Sequence, residues 1–154
     1  MENPQEKLFV IMLKTIKDKI DRNLIIRFIK FGIVGTSGIA VNTGVLWLLK
    51  GLLAVPLAIA PIFAIGTAVF SNFMLNNYWT WNENKKSRKH TFLHRLWRYY
   101  FSASLGALIN YVTLLLLTNY FDIHYLIANL AGIFLGMVSN FLLGEFWVFK
   151  SEDS

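Results

Sequence analysis

Four basic residues recur at one spacing. Arg27 and Lys30 stand three apart, Arg95 and Arg98 stand three apart, and the two pairs lie 68 residues from each other. On a helix, a spacing of three puts both cations of a pair on one face. Arginine forks bind phosphate oxygens in bidentate fashion, so Arg27, Lys30, Arg95 and Arg98 are candidate lipid-phosphate ligands. The positive-inside rule also accounts for basic residues beside apolar helices, but not for their matched register. A second group is Asn72, Asn76, Asn140 and Glu145. Asn72 and Asn76 share a helix face with Trp79, and Asn140, Gly144 and Trp147 repeat that face further on. Such amides suit either the hydroxyls of a sugar headgroup or packing between helices. Asn42 and Asn110 lie beside the small residues Gly38 and Gly106, and read as structural interhelical hydrogen bonders. Glu145 either pairs with Arg27, Arg95 or Arg98, or acts on a ligand.

Little else in the chain points to chemistry. There is no cysteine, so thiol catalysis and disulfides are excluded. His90 and His94 are four apart with no third ligand near, and no metal site is expected. No phosphate-cradling glycine loop, nucleophile triad or carboxylate pair is present. No catalytic residue and no cofactor are therefore expected.

The elements that position these residues are long and apolar. Of 154 residues, 55% are hydrophobic and 16% charged, against about 25% charged in an ordinary soluble domain. Stretches 31–49, 51–81 and 99–121 hold no Asp, Glu, Lys or Arg, and 123–149 holds only Glu145. Each exceeds the ~18 residues that mark a membrane-crossing helix. Spans are expected over 31–50, 57–78, 100–119 and 125–146. The fold class is thus an all-α membrane protein with four transmembrane helices. A net charge of +6 would suggest nucleic acid on a soluble fold. Here fourteen of the fifteen lysines and arginines flank the spans on one side, with only Lys50 opposite. That bias puts both termini and the central loop in the cytoplasm and predicts no nucleic-acid partner. Trp79, Trp81, Trp97, Tyr99, Tyr100, Trp147 and Phe149 read as an aromatic belt at the same interface.

Residues 5–21 carry Phe9, Met12, Leu13, Ile16 and Ile20 at helical spacing, with lysines and aspartates largely opposite. This predicts an N-terminal amphipathic helix on the inner leaflet or docked on a partner. Residues 27–81 align without a gap on 95–149, identical at 14 of 55 positions, including Arg27, Asn42, Ser71-Asn72-Phe73 and Trp79. Each copy holds two spans, so the copies enter the membrane in the same direction as parallel two-helix repeats, an arrangement known among transporters. The expected organisation is an amphipathic segment over 1–26, a membrane domain over 27–149 and a tail over 150–154.

The opening RFIKFGIVGTSGIAVNTGVLWLL at 27–49, the closing SNFMLNNYWTW at 71–81 and its echo SNFLLGEFWVF at 139–149 resemble the GtrA-like family of small four-span membrane proteins. That family is related to the membrane domain of some dolichyl-phosphate mannose synthases. The resemblance implies a non-enzymatic role in cell-surface polysaccharide or glycolipid assembly. The expected function is flipping of a polyprenyl-phosphate-linked monosaccharide beside a separate glycosyltransferase. The alternative is a non-transporting anchor or regulatory partner of that enzyme. Expected partners are the lipid-linked sugar, membrane lipids, the glycosyltransferase and a second copy in a homodimer. The expected setting is the plasma membrane of a prokaryote.

Overall fold

In a computed structural model, the described backbone covers residues 4–85 and 89–150, and the described side chains cover 22–83 and 89–150. Among the described residues four α-helices make the fold: α1 (Pro4–Leu46), α2 (Ala60–Leu75), α3 (Phe92–Phe121) and α4 (Tyr125–Leu143). There is no strand among the described residues. Short π-helical turns extend three of the helices, at Trp47–Leu52, Asn76–Thr80 and Gly144–Val148.

Among the described residues, three stretches are long and apolar enough to cross a membrane: Arg22–Leu52, Phe92–Phe121 and Tyr125–Val148. The other helix, α2, has 16 residues and is prolonged by the π turn at Asn76–Thr80. At 43 residues, α1 is about 65 Å long by helical rise, about twice the thickness of a bilayer core, so part of it must lie outside hydrocarbon. Its backbone runs unbroken from the N-terminal segment into the first apolar stretch. The side chains that would make 5–21 amphipathic lie outside the described residues.

The breaks between helices follow local chemistry. Ala54 takes a left-handed conformation, and Pro56 lends its carbonyl to the amides of Ile59 and Ala60 as α2 begins. Asp122 stops α3 at φ 52°, a conformation that aspartate tolerates better than most residues. His124 then caps α4 by accepting from the Leu126 amide at 3.4 Å. With only 122–124 between them, α3 and α4 form a tight antiparallel hairpin.

The outside of the helices is apolar. Ile62, Phe63, Leu108, Leu116, Leu130 and Phe134 are all exposed. Such large continuous apolar surface suits lipid and not water. On these faces the Thr67 and Ser104 hydroxyls are satisfied within their own helix, each donating to the carbonyl four residues back.

Helix α1 packs chiefly on α2, and α3 chiefly on α4. Small residues form both seams. Ala60, Ala64 and Ala68 are buried on α2; Ala128, Gly132 and Gly136 are buried at positions 68 residues on. A Cβ on Gly136 would lie 2.6 Å from the Gly106 carbonyl oxygen, so α3 and α4 touch backbone to backbone there.

The two hairpins meet at one end in an aromatic core of Phe31, Phe73, Trp81, Tyr99, Phe141, Val148 and Phe149. Its contacts recur at the 68-residue offset. Phe31 meets Trp81 at 5.9 Å, and Tyr99 meets Phe149 at 6.1 Å. Phe31 meets Phe141 at 5.9 Å, and Tyr99 meets Phe73 at 5.6 Å. Trp81 and Phe149, themselves 68 apart, stack on each other at 4.4 Å and 14°. The expected aromatic belt therefore divides. Trp79 and Trp97 are exposed as a belt requires, but Trp81, Tyr99 and Phe149 belong to the core. For Trp81 and Phe149 the cause is the wide π turn that precedes each. The Trp81 amide donates to the Asn76 carbonyl, and the Phe149 amide to the Gly144 carbonyl, both at 2.9 Å. Each turn folds its terminal ring back between the hairpins.

Candidate functional site

Beside the aromatic core, a cleft of about 400 Å³ opens between the two hairpins. All four helices line it. Its walls are mostly small or aliphatic, including Gly35, Ile39, Ala103, Ala107 and Ile133. Phe31 and Tyr99 belong to both cleft and core, so the core closes that end of the cleft. The polar side chains in the lining include Thr36, Asn72, Asn110 and Asn140.

The asparagines reach the cleft because glycines on neighbouring helices admit them. Asn72 on α2 lies against Gly38 on α1, and Asn140 on α4 lies against Gly106 on α3. In both cases a Cβ on the glycine would collide with the amide. Asn110 lies against Gly132 in the same manner. The Ser102 hydroxyl donates to Asn140 Oδ1 at 3.3 Å. The Oδ1 atoms of Asn42, Asn72 and Asn110 are buried with no hydrogen-bond donor. Polar atoms left this way inside a membrane protein carry a cost that a ligand or water would relieve.

Asn76 is placed differently. It is fully buried outside the cleft lining: its amide donates to Tyr99 Oη at 2.8 Å, and its carbonyl accepts from Thr80 Oγ1 at 2.7 Å. The sequence pattern put Asn76 with Asn72 because they are one turn apart. The wide turn that begins at Asn76 moves it into the core.

Glu145 is bound on both oxygens. Arg27 Nη1 donates to Oε1 at 2.5 Å, and Trp81 Nε1 donates to Oε2 at 2.7 Å. Of the three arginines considered from sequence, Arg27 is therefore its partner. Arg27 also reaches the exposed Glu83 at 3.4 Å. These contacts tie α1 to the turn after α4 and to the turn after α2. The Arg95 side chain is buried, at 6% exposure, and its Nε and Nη1 make no hydrogen bond. Lys30 lies over Trp79 at 5.8 Å, and Arg98 lies over Trp147 at 4.9 Å. These are equivalent cation–π contacts at the 68-residue offset. Arg98 Nη1 also donates to the Trp147 carbonyl at 3.0 Å. The four cations thus gather at the core end, in three different states.

His90 stacks on His94 at 5.1 Å. Burial, and after it the charges of Arg98, His94, Lys89 and Arg95, holds the His90 imidazole below its ordinary value. No group of three metal-ligating side chains occurs among the described residues.

Sequence reasoning missed three features. The first is the Trp81–Glu145 bond. The second is the Tyr99–Asn76 bond. The third is Tyr100 Oη donating at 2.7 Å to the Gly66 carbonyl, which joins the hairpins across α2 and α3. Each aromatic had a simpler reading as an interface residue, and no spacing distinguishes the two.

A lipid-faced helical bundle with three spans long and apolar enough to cross a membrane among the described residues is that of an integral membrane protein. The chain belongs to the GtrA/DPMS transmembrane domain family, whose pattern matches residues 30–149. Over 119 residues it is 40% identical to a dolichol-phosphate mannosyltransferase of Pyrococcus furiosus. The match covers 77% of this chain and 32% of that protein, so the chain spans about a third of its relative's length.

Proposed function

We propose that this chain is a non-catalytic translocase for a polyprenyl-phosphate-linked monosaccharide, working beside a glycosyltransferase in cell-surface polysaccharide or glycolipid assembly. One observation carries the reading: a cleft between two hairpins, lined from both by the equivalent asparagines Asn72 and Asn140. We read the bundle as four spans in two parallel repeats, with α2 and its π turn as the fourth span. The basic end then faces the cytoplasm, and the N-terminal helix begins on the inner leaflet.

The amphiphile would enter head first. Lys30, Arg95 and Arg98 would draw its phosphate to the cytoplasmic end, while Arg27 stays paired with Glu145. Asn72, Asn140 and Asn110 would exchange hydrogen bonds with sugar hydroxyls inside the cleft. Asn76 and Glu145 would stand behind them, holding the core and Arg27 in place. The prenyl chain would stay in lipid along the apolar faces. Movement would come from rocking one hairpin against the other about the aromatic core. A homodimer would widen the protected path.

The test is transbilayer movement of a polyprenyl-phosphate sugar in liposomes containing only this protein. Saturable acceleration is expected, and its reduction by Asn72→Leu with Asn140→Leu. A second reading has its own support. The relative carries the name of a mannosyltransferase, and this chain matches about a third of it. If the folded protein moves no lipid, the chain is instead an anchor or regulatory partner of the glycosyltransferase.

A further inference from the structure

The two halves of the bundle repeat their small residues, rings and cation–π contacts, but they do not repeat their charges. At position 145 a carboxylate meets Arg27. The position 68 residues earlier is Asn77, which is neutral, and the arginine equivalent to Arg27 is Arg95. Among the described residues both ion pairs belong to Arg27, and no carboxylate lies within ion-pair distance of Arg95. Arg95 is nonetheless the more enclosed of the two, and two of its three guanidinium nitrogens lack an acceptor. It is the one cation with unused buried donors among the described residues. A guanidinium held away from water with open donors needs an anion or bound water.

We infer that the phosphate site of this protein is single and lies at Arg95, and that Glu145 closes the equivalent site at Arg27. The ligand chemistry is a phosphate mono- or diester, whose several oxygens can each accept one charge-assisted hydrogen bond. It rests on the translocase reading only for the identity of the lipid; the asymmetry of the two arginines stands without it. Arg98, held by the Trp147 ring and carbonyl, is a neighbouring cation that adds attraction without competing for Arg95's open donors.

The experiment counts bound polyprenyl monophosphate on the protein in nanodiscs by native mass spectrometry, with inorganic phosphate as competitor. One lipid per chain is expected. Arg95→Gln should weaken binding about tenfold or more, and Arg95→Lys should recover part of it, since a point charge replaces the fork. The double variant R27Q/E145Q removes the ion pair without stranding either charge, and should bind within about twofold of the parent. E83Q/E145N installs at 145 the residue type found at 77, removes both carboxylates that reach Arg27 among the described residues, and should raise the count to two. Equal losses in R95Q and R27Q/E145Q would overturn the single site, as would a count of one in E83Q/E145N. Displacement of the lipid by inorganic phosphate at matched concentration would overturn a lipid headgroup as the source. If the parent protein retains no phosphate lipid, the Arg95 site is wrong. Liposome transport, measured separately, then decides the translocase reading on its own.

Discussion

At the scale of single residues, the charged and amide side chains are sorted by what they touch. Arg27 and Glu145 are largely withdrawn from solvent, with side chains 15% and 13% exposed. Removing one partner of such a pair leaves the other stranded. Arg27→Gln should therefore cost about 3–5 kcal/mol, and R27Q/E145Q distinctly less. Thermal unfolding in detergent reads both, and an equal loss in the two would mean the pair is not what holds the turns together. Tyr99→Phe removes the acceptor of the buried Asn76 amide. It should cost about 1–3 kcal/mol in the same assay, with little change in packing volume. Much of this scale was legible in the sequence. Pairing with one of three arginines was one of the two readings that the sequence offered for Glu145, the lone carboxylate in an apolar stretch. Which arginine it would find, and that Asn76 would turn inward while Asn110 lines the cleft, was not legible. Those depend on the rotation of each helix about its axis, which packing sets and one-dimensional spacing leaves free.

At the scale of elements, length and apolarity located the helices, while their seams depend on glycine. Of the glycines on α1, Gly32 has open space where a Cβ would go, whereas Gly136 on α4 faces a backbone carbonyl. Gly32→Ala should be neutral or slightly stabilising, by up to about 1 kcal/mol from helix propensity. Gly136→Ala must push α4 off α3 and should lower the melting temperature clearly. If the two variants melt alike, the α3–α4 contact is not close. The repeated register of small residues and asparagines was visible in the sequence because every helix crossing needs a place for the backbone to approach. The π turns were not visible. They arise where the chain leaves each hairpin and the amide of Trp81 or Phe149 reaches back five residues. No residue type announces that, so the rings they fold inward read as a belt.

At the scale of the whole molecule, the hairpins are joined firmly at the aromatic core and stand apart along the cleft. A bundle built this way can hinge at its packed end while the lined gap changes width. The cleft, then, is where obstruction should matter and stability should not. Ala107 lines the cleft, and Leu108, its neighbour on α3, is absent from that lining and exposed on the apolar surface. On the translocase reading, Ala107→Trp should cut lipid movement in liposomes by about tenfold or more, the scale of losing about 1.4 kcal/mol or more of ligand access. Leu108→Trp adds a similar bulk on the lipid side and should leave transport nearly unchanged. Both should melt close to the parent, because neither position belongs to the buried core. Equal transport in the two variants would separate the cleft from the function. Loss in the first alone would place the moving headgroup between Asn72 and Asn140, on the path that the two matched halves enclose.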